Sequence, residues 1–340
     1  MRPLALLASF ALLSLSAIGP ARGEVGVKKT DAGVEVTIDG QPFTTYIFDS
    51  GFKPILWPVI GPTGKEMTRA WPLREGNKDE KTDHIHQKSF WFDHGDVSGV
   101  DFWAETSADP KSEKVKNSRE KAAADGKEWT PPLWQGKQVH TELVKAEGGK
   151  VGTIVTKTDW IDLHHGKEKL LSDVRTLRFG GDQETRWIDF DVTVTAEKDG
   201  VTFRDTKEGS FGLRIAESMR ADKKQDKGTI ISSEGLQDEK TWGQPAAWVD
   251  YHGPVQGEQL GIAILNHPSS YRYPTHWHVR PYGLFAANPW GLHDFTKGKE
   301  QSAHEMKKGE TLTLRYRVIF HKGDEKTGKI ADAFAAYTKD

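Results

Sequence analysis

The chain contains no cysteine among its 340 residues. Because a protein without cysteine can form no disulfide, its folded state must be stabilised by the burial of apolar surface. The same absence excludes thiolate nucleophiles and thiolate metal ligands from any site that the protein carries.

The chain also lacks an excess of charge of either sign, with 47 basic residues, 49 acidic residues and a formal net charge of -2 at pH 7. Such a balance provides no electrostatic footprint for nucleic acid or for an anionic membrane surface. A mean hydropathy of -0.63 together with 12 tryptophans predicts a polar surface around an aromatic-rich interior or cleft. We therefore expect no nucleic-acid partner, and the composition does not fix the oligomeric state.

Long apolar runs are confined to the N terminus. A basic start at Met1 and Arg2 precedes an almost wholly apolar or small stretch from Leu4 to Ile18, and Ala21-x-Gly23 suits a signal peptidase. This pattern predicts a secretory signal peptide over residues 1–23 and a secreted or periplasmic protein. No later segment contains about 18 consecutive apolar residues, so we expect no membrane span.

Strand-like alternation dominates the rest of the chain. Two such segments flank the turn sequence Gly180-Gly181-Asp182-Gln183 and predict a long hairpin. Many strands without alternating helices predict an all-β fold, a large antiparallel β-sandwich. The predicted strands are Gly33 to Ile38, Val151 to Trp160, Lys169 to Phe179, Arg186 to Ala196, Gln259 to Leu265 and Thr311 to Phe320.

Only two segments are candidates for helices. Residues 112–124 are charged and polar nearly all round, and we assign them to a solvated polar excursion over residues 105–138. Ile330, Phe334 and Tyr337 follow a spacing of i, i+4 and i+7, which predicts a short C-terminal helix. Since no repeat and no linker divides the chain, we predict a single β-sandwich domain over residues 24–340.

The pair His84-x-His86 is the first candidate for chemistry. On a strand both imidazoles point to the same face, where they can bind one ion, and His94 follows close enough to return across a bend. The alternative is that backbone carbonyls satisfy these histidines in a polar cleft. The cupin metal pattern fails, because Phe90 and Trp91 stand where it requires glutamate. We predict no cofactor, with a divalent metal at His84 and His86 left as the alternative.

A second group of candidates lies in the segment from residue 267 to residue 293. It contains a second H-x-H pair, His276 and His278, followed by Arg280, and Asn288 begins a turn where polar groups reach solvent. His267 lies upstream, at the end of another buried-looking strand. Trp290 and the other rings of this segment either pack in the core or line a cleft.

A third candidate is Glu208, which precedes Arg214 by six residues across a glycine-containing strand start. The carboxylate has the chemistry of a general base, and the guanidinium that of a clamp for carboxylates or hydroxyls. An ordinary salt bridge is the alternative, and Asp189 and Asp191 are further candidates for an acid/base pair. The chain has no G-x-S-x-G elbow, P-loop, dinucleotide fingerprint or H-E-x-x-H motif.

Several blocks, in order along residues 42–320, resemble the methane oxygenase PmoA-like family, a family of unknown function. The blocks are PVIGPTG from Pro58, TRAWP from Thr68, DHIHQKSFWFDHGDVSGVDFW from Asp83, EGSFGLR from Glu208, WVDYHG from Trp248 and HVRPYGLFAANPWG from His278. The family is common among secreted proteins of polysaccharide-degrading bacteria. Its strand pattern is similar to the β-supersandwich of galactose mutarotase-like and polysaccharide-lyase domains.

This resemblance implies a concave sheet face on which histidines, a carboxylate and an arginine receive a sugar. Gln87, Lys88 and Ser89 stand where the family pattern has His-Arg-Gly, which argues against a three-histidine metal site. The residues that fall on or beside the family blocks are His84, His86, His94, Glu208, Arg214, His267, His278, Arg280 and Asn288.

We therefore predict a carbohydrate-active protein, an enzyme of glycoside hydrolase, lyase or epimerase type that binds a carbohydrate ligand. The alternatives are a non-catalytic carbohydrate-binding module and a metal-dependent oxygenase. The predicted catalytic residues are His84, His86, His94, Glu208 and His278. The predicted substrate-binding residues are Trp91, Trp103, Arg214, His267, Arg280, Asn288 and Trp290.

Overall fold

The computed structural model describes residues 23–76, 78–105, 112–126, 129 and 133–339. The predicted signal peptide therefore lies outside the described residues, apart from Gly23. Among the described residues, no helix is both long enough and apolar enough to cross a membrane.

The strands are β1 Val25–Lys29, β2 Gly33–Ile38, β3 Gln41–Ile47, β4 Ile55–Val59, β5 Phe90–His94, β6 Val100–Asp101, β7 Trp134–Glu147, β8 Gly152–Asp162, β9 Lys169–Gly181, β10 Thr185–Ala196, β11 Val201–Phe203, β12 Gly209–Arg214, β13 Thr229–Ser232, β14 Trp248–Val255, β15 Glu258–Asn266, β16 His276–Val279, β17 Leu284–Asn288, β18 His304–Met306 and β19 Thr311–Lys322. The α-helices are α1 Glu113–Ala124, α2 Leu292–Phe295 and α3 Ile330–Tyr337.

Two large sheets form a sandwich, as predicted from the alternation. One sheet has eight strands in the order β1-β2-β3-β4-β5-β12-β17-β16. The other has nine strands in the order β13-β14-β15-β19-β10-β9-β8-β7-β6, and β11 pairs separately with β18. Apart from the parallel pairing of β6 with β7, neighbouring strands are antiparallel.

The core lies between the two sheets because strand residues alternate between the two faces of a sheet. Phe90 and Phe211 of the eight-stranded sheet pack against Phe190 of the nine-stranded sheet, with ring centroids 5.8 and 5.2 Å from its ring. Phe211 also stacks on Tyr316 at 4.3 Å. Asp189, which directly precedes Phe190 in β10, points to the outer face, where it pairs with Arg317 at 2.6 Å. Burial of these rings supplies the stability that disulfides cannot.

The structure confirms the predicted strands and their long hairpin, with β9 and β10 paired from Arg186 opposite Gly181 to Ala196 opposite Leu171. The predicted C-terminal helix is α3, and its Ile330 and Tyr337 are buried. The predicted polar excursion over residues 105–138 lies partly outside the described residues, and its last residues, 134–138, instead begin β7 and are partly buried.

The outer faces of the two sheets are covered differently. Helix α3 packs its Ile330 and Tyr337 on apolar residues of β15 and β19, on the outside of the nine-stranded sheet. On the outside of the eight-stranded sheet, a small apolar cluster of Trp91, Trp103 and Leu284 has Tyr282 packed against it. This second face is the floor of a cleft.

Candidate active site

A cleft of about 500 Å³ opens on the outer face of the eight-stranded sheet. Loops before β5, after β6, before β12 and between β16 and β17 supply its walls. Asp101, Lys207 and Tyr282 line it together with residues that the sequence predicted. The predicted site residues that the structure brings together here are His84, His86, Trp103, Glu208, His278 and Arg280.

The loop that carries His84 is fixed to the sheet by Arg69. The Arg69 guanidinium donates to Asp83 Oδ1 at 2.7 Å and to the His84 carbonyl oxygen at 3.1 Å. His84 has a φ of 47°, a left-handed conformation that costs a non-glycine residue about 1 kcal/mol or more. Its ring stacks on Tyr282 with centroids 5.4 Å apart. The sheet thus holds His84 in an unfavourable backbone conformation at the cleft.

His86 lies deeper in the same wall, with its ring centroid 5.6 Å from that of Trp103. Burial, together with the positive charge of Lys53, lowers the pKa of His86 to about 3. The imidazole is therefore neutral at physiological pH. It serves as a hydrogen-bonding partner in the cleft and not as a cation.

The opposite wall is the segment from Thr206 to Glu208, which buried polar groups hold in place. Asn288 Nδ2 donates to the carbonyl oxygens of Thr206 and Lys207, at 2.9 and 3.0 Å. Gly95 packs so closely that a Cβ there would come within 2.6 Å of the Glu208 carbonyl oxygen. Only glycine fits at that position, and it lets this wall lie flat against β5.

His278 projects from β16 into the cleft with one ring nitrogen already engaged. Its Nδ1 lies 2.7 Å from the Lys207 carbonyl oxygen, so Nδ1 carries the proton and donates it. Burial lowers the pKa of His278 to about 4, so the ring is neutral. No described residue hydrogen-bonds to Nε2, which is left as a proton acceptor. His278 thus has the tautomer that a general base requires.

Asp101 is a site residue that the sequence interpretation missed. Its Oδ1 accepts hydrogen bonds from the backbone N–H groups of Trp103 and Ala104, at 2.7 and 3.0 Å. Burial nevertheless raises the pKa of Asp101 to about 6. The second oxygen can therefore hold a proton up to about pH 6, as a general acid does. Glu208, the carboxylate that the sequence predicted, lines the same cleft and is ion-paired with Lys207 at 2.6 Å.

Two buried arginines lie behind the wall of Tyr282. Arg214 is fully buried, 4.8 Å from the centroid of the Tyr282 ring, and donates to Gln87 Oε1. Arg69 and Arg214 share one carboxylate, that of Asp83, at 2.7 and 3.4 Å. Burial acts to raise the pKa of Asp83, but hydrogen bonds from Arg69 and His84 hold it at about 2. Arg214 thus supports the wall from behind instead of contacting a ligand in the cleft.

A buried network of four charges lies beneath the floor of the cleft. Lys53 Nζ is 2.6 Å from Asp93 and 3.1 Å from Glu105, and Glu105 is 2.5 Å from Lys88. The side chains of Lys53 and Asp93 are wholly removed from solvent. Burial acts to lower the pKa of Lys53, but the two carboxylates raise it, so the amine stays charged. The network ties β5 to the loops that carry the cleft residues.

The structure does not place the other predicted residues in the cleft. His94 and Trp290 point into the core, where both pack on Phe203. Trp91 is buried under Trp103. These aromatic residues of β5 and of the loop after β17 therefore support the fold.

His267 and Asn288 have structural surroundings as well. His267 directly follows β15 of the nine-stranded sheet, with its Nδ1 2.7 Å from Ser269 Oγ and its ring against Tyr337 of α3. It is not brought together with His278, although the sequence placed them in one segment. Asn288 is fully buried, and it supports the cleft wall through its hydrogen bonds to the carbonyl oxygens of Thr206 and Lys207.

His84 and His86 lie side by side, with ring centroids 5.7 Å apart. In the described part of the chain, one group of side chains brings three ligand atoms within 4.8 Å of one another, and it consists of Asp250, His252 and Glu325. None of these three residues lines the cleft. Metal binding at His84 and His86 would therefore need a ligand from solvent or substrate, and the absence of a cofactor remains a prediction.

The model of a protein family described as "Family of unknown function (DUF6807)" matches residues 33–335. Because this match covers most of the chain, the chain belongs to that family. No comparison links the chain to the methane oxygenase PmoA-like family that the motifs resemble. A search of curated proteins found no match.

Several solved structures are distantly similar to the chain. A galactose mutarotase related enzyme from Lactobacillus acidophilus is 9% identical, with 88% of this chain and 97% of that chain covered and a TM-score of 0.30. The Slr1438 protein from Synechocystis sp. PCC 6803 is 10% identical, with 92% and 99% covered and a TM-score of 0.31. A glycoside hydrolase family 97 enzyme from Pseudoalteromonas sp. strain K8, in complex with acarbose, is 9% identical, with 88% and 35% covered and a TM-score of 0.25.

Proposed function

We propose that this member of the DUF6807 family is a carbohydrate-active enzyme that works by proton transfer. The observation that carries the proposal is the presence, in one cleft, of a neutral His278 with an unpaired Nε2 and of Asp101 with a pKa of about 6. Between the pKa of His278, about 4, and that of Asp101, about 6, His278 can accept a proton while Asp101 can still donate one.

In the proposed mechanism, His278 Nε2 takes a proton from a hydroxyl, a water molecule or an acidic C–H of the ligand. The hydrogen bond from Nδ1 to the Lys207 carbonyl stabilises the imidazolium that forms. Asp101 gives its proton to the leaving-group oxygen in hydrolysis or elimination, and to an oxygen of the sugar in epimerisation. Hydrolysis, elimination and epimerisation each need one acceptor and one donor placed in this way, and each proton transfer contributes roughly 10²- to 10⁴-fold.

A sugar suits the remainder of the lining. Tyr282 and the small exposed part of Trp103 present aromatic surface, while His84, His86 and Glu208 present hydrogen-bonding groups. A pyranose has an apolar face for the rings and hydroxyls for the polar groups, and such a mixture is typical of small-molecule sites. The cleft volume of about 500 Å³ accommodates one or two sugar units.

The proposal is tested by measuring binding and turnover separately with Asp101→Asn. Asparagine keeps the oxygen that accepts from the N–H groups of Trp103 and Ala104, so the loop is expected to stay folded. The variant should bind the sugar ligand found in a glycan-array screen and fail to convert it. Conversion at the wild-type rate would remove Asp101 from the mechanism.

Two other functions remain as outcomes of the same experiments. A non-catalytic carbohydrate-binding module would bind sugar in the wild type and in Asp101→Asn without converting it. A metal-dependent oxygenase would hold about one transition metal per chain in elemental analysis and lose it when His84 and His86 are replaced. The proton-transfer proposal requires neither result.

We also propose that the protein is exported, on the basis of the signal-peptide pattern of residues 1–23. Cleavage near Gly23 would leave that part of the chain out of the mature protein. N-terminal sequencing of the protein recovered from the periplasm or medium should then begin close to residue 24. A chain that starts at Met1 in the cytoplasmic fraction would overturn this proposal.

A further inference from the structure

Arg280 is a cation of the cleft wall that has no anionic partner among the described residues. Its guanidinium lies between two rings, 5.7 Å from the centroid of Trp242 and 6.0 Å from that of Tyr282. No hydrogen bond or ion pair joins its side chain to the described part of the chain. Lys207 on the facing wall differs, because Glu208 neutralises it at 2.6 Å. The Arg280 side chain thus lies between two rings, and its N–H donors have no hydrogen-bond acceptor among the described residues.

The charges around Arg280 do not cancel its own. Arg69 and Arg214 share the Asp83 carboxylate, and the negative charge of Glu217 also acts on Arg214. The buried network beneath the floor contains two lysines and two carboxylates. Asp101 is the remaining acidic group of the lining, and burial raises its pKa to about 6. Arg280 is therefore the cation of the described lining that lacks an anionic partner, and its charge attracts an anionic ligand.

We infer that the cleft binds an acidic sugar and that Arg280 receives its carboxylate or sulfate group. This inference rests on the proposed function, since it names the class of sugar that the same cleft takes. A guanidinium offers parallel N–H donors whose spacing matches the two oxygens of a carboxylate, and a sulfate ester presents an equivalent pair. The rings of Trp242 and Tyr282 flank the guanidinium, and these contacts restrict its conformational freedom before the anion binds.

The position of Arg280 indicates where the acidic group lies. Beyond Arg280 a second hollow of about 250 Å³ is bounded by Glu239, Trp242 and Pro281. Glu239 would repel an anion there, whereas the Glu208 carboxylate of the main cleft is neutralised by Lys207. The acidic unit therefore belongs on the cleft side of Arg280. A neutral neighbouring unit can lie on Trp242, and Arg280 is placed at the boundary between the two.

The test is titration calorimetry of the full chain with matched sugars that differ in one group. The pairs are methyl glucuronide with methyl glucoside and methyl galacturonide with methyl galactoside, and glucose 6-sulfate and galactose 6-sulfate form the second arm. At least one acidic member should bind roughly tenfold or more tightly than its neutral counterpart. Arg280→Gln should weaken binding of that acid by roughly 10- to 100-fold and leave the neutral sugar unchanged. Arg280→Lys should retain part of the preference, because it keeps the charge and loses the paired donors.

Arg204→Gln is the matched control, since Arg204 is more than half exposed and lies outside the cleft lining. Preference for the uronates or for the sulfates identifies which group Arg280 binds. Equal affinity for acidic and neutral sugars would overturn the inference and leave the proposed function standing. An acid preference that survives in Arg280→Gln would also overturn it. If no sugar in either arm binds, the inference and the proposed function fall together.

Discussion

The Nδ1 atom of His278 lies 2.7 Å from the backbone carbonyl oxygen of Lys207. This contact fixes the proton on Nδ1 and leaves Nε2 as the nitrogen that accepts. It also joins β16 to the loop that carries Glu208, so the histidine and the opposite wall keep a constant separation. Because the carbonyl is itself held by Asn288, the position of the base depends on a residue that never meets the ligand.

His278→Gln should reduce turnover by roughly 10²- to 10⁴-fold, since glutamine cannot accept and release a proton. Binding of the sugar should change much less, because the amide still offers hydrogen bonds. The measurement is kcat and ligand affinity on the same preparations. His276→Gln is the control: it lies on the same strand and the same face, but its ring packs on Phe295 and is outside the cleft lining. Equal losses in the two variants would contradict a catalytic role for His278.

The pH dependence of kcat/KM should be bell-shaped. His278 must be deprotonated to accept a proton, so activity rises as the pH passes its pKa of about 4. Asp101 must be protonated to donate, so activity falls as the pH passes its pKa of about 6. The optimum is therefore expected between these values, and it is read from initial rates at constant ionic strength. A rate that keeps increasing from pH 6 to pH 8 would exclude Asp101 as the acid.

Lys53→Met should lower the free energy of unfolding by about 3–5 kcal/mol, because it leaves the buried Asp93 and Glu105 without their shared cation. Chemical denaturation gives this value. Adding Asp93→Asn to Lys53→Met should recover part of the loss, since the uncompensated carboxylate is then gone.

Lys137→Met is the control for that measurement. Lys137 pairs with Asp49 at 2.9 Å, but both side chains are partly exposed. Its removal should change the free energy of unfolding by less than about 1 kcal/mol. A similarly small change for Lys53→Met would show that the buried network adds nothing to stability.

A second polar cluster, on the nine-stranded sheet, should make stability depend on pH. The Asp250 carboxylate lies 2.7 Å from His252 Nδ1 and 2.6 Å from His321 Nε2. Burial acts to lower the pKa of each histidine, but the negative charge of Asp250 outweighs it, so both histidine pKa values are raised. Burial acts to raise the pKa of Asp250, but its two imidazole partners outweigh it, so the Asp250 pKa is lowered. The stabilisation is complete above the unfolded pKa of Asp, about 4, and below that of His, about 6.5. It is lost as the pH rises through the raised histidine pKa values or falls through the lowered pKa of Asp250.

The difference in Tm between wild type and His321→Gln should accordingly be largest between about pH 4 and 6.5 and should shrink towards pH 9. Thermal unfolding at a series of pH values provides the measurement. His293→Gln replaces an exposed histidine and should leave the wild-type pH dependence in place. A Tm difference for His321→Gln that stays constant across the series would contradict the linkage to Asp250.

The sequence predicted the parts of the fold in which alternation is regular. The hairpin of β9 and β10 was identified because its strands alternate apolar and polar residues on both sides of a glycine turn. Strand β7 was missed because its second half is exposed and charged, as at Glu142 and Lys145, and such residues read as a loop. Its place in the sheet depends on pairing with β8, which is a non-local contact.

The site was predicted in part for a similar reason. Residue type and motif identified His84, His86 and His278, but not which way a strand turns its side chains. His94 shares the parity of Phe90 and Phe92, so it points into the core, and that signal was present in the sequence. The importance of Asp101 arises from burial and from two backbone N–H groups that the chain brings to it only on folding.

The most direct measurement is a proton NMR time course of the full chain in D₂O with neutral, uronic and sulfated sugars and oligosaccharides. Hydrolysis gives new reducing-end signals, elimination gives a vinylic proton, and epimerisation gives new anomeric signals or deuterium exchange, so one experiment covers the three reactions. We predict that at least one sugar changes with time in the presence of the wild type and is stable in the presence of His278→Gln. Sugars that bind in the cleft and stay unchanged with the wild type would contradict the proposal and leave a binding module.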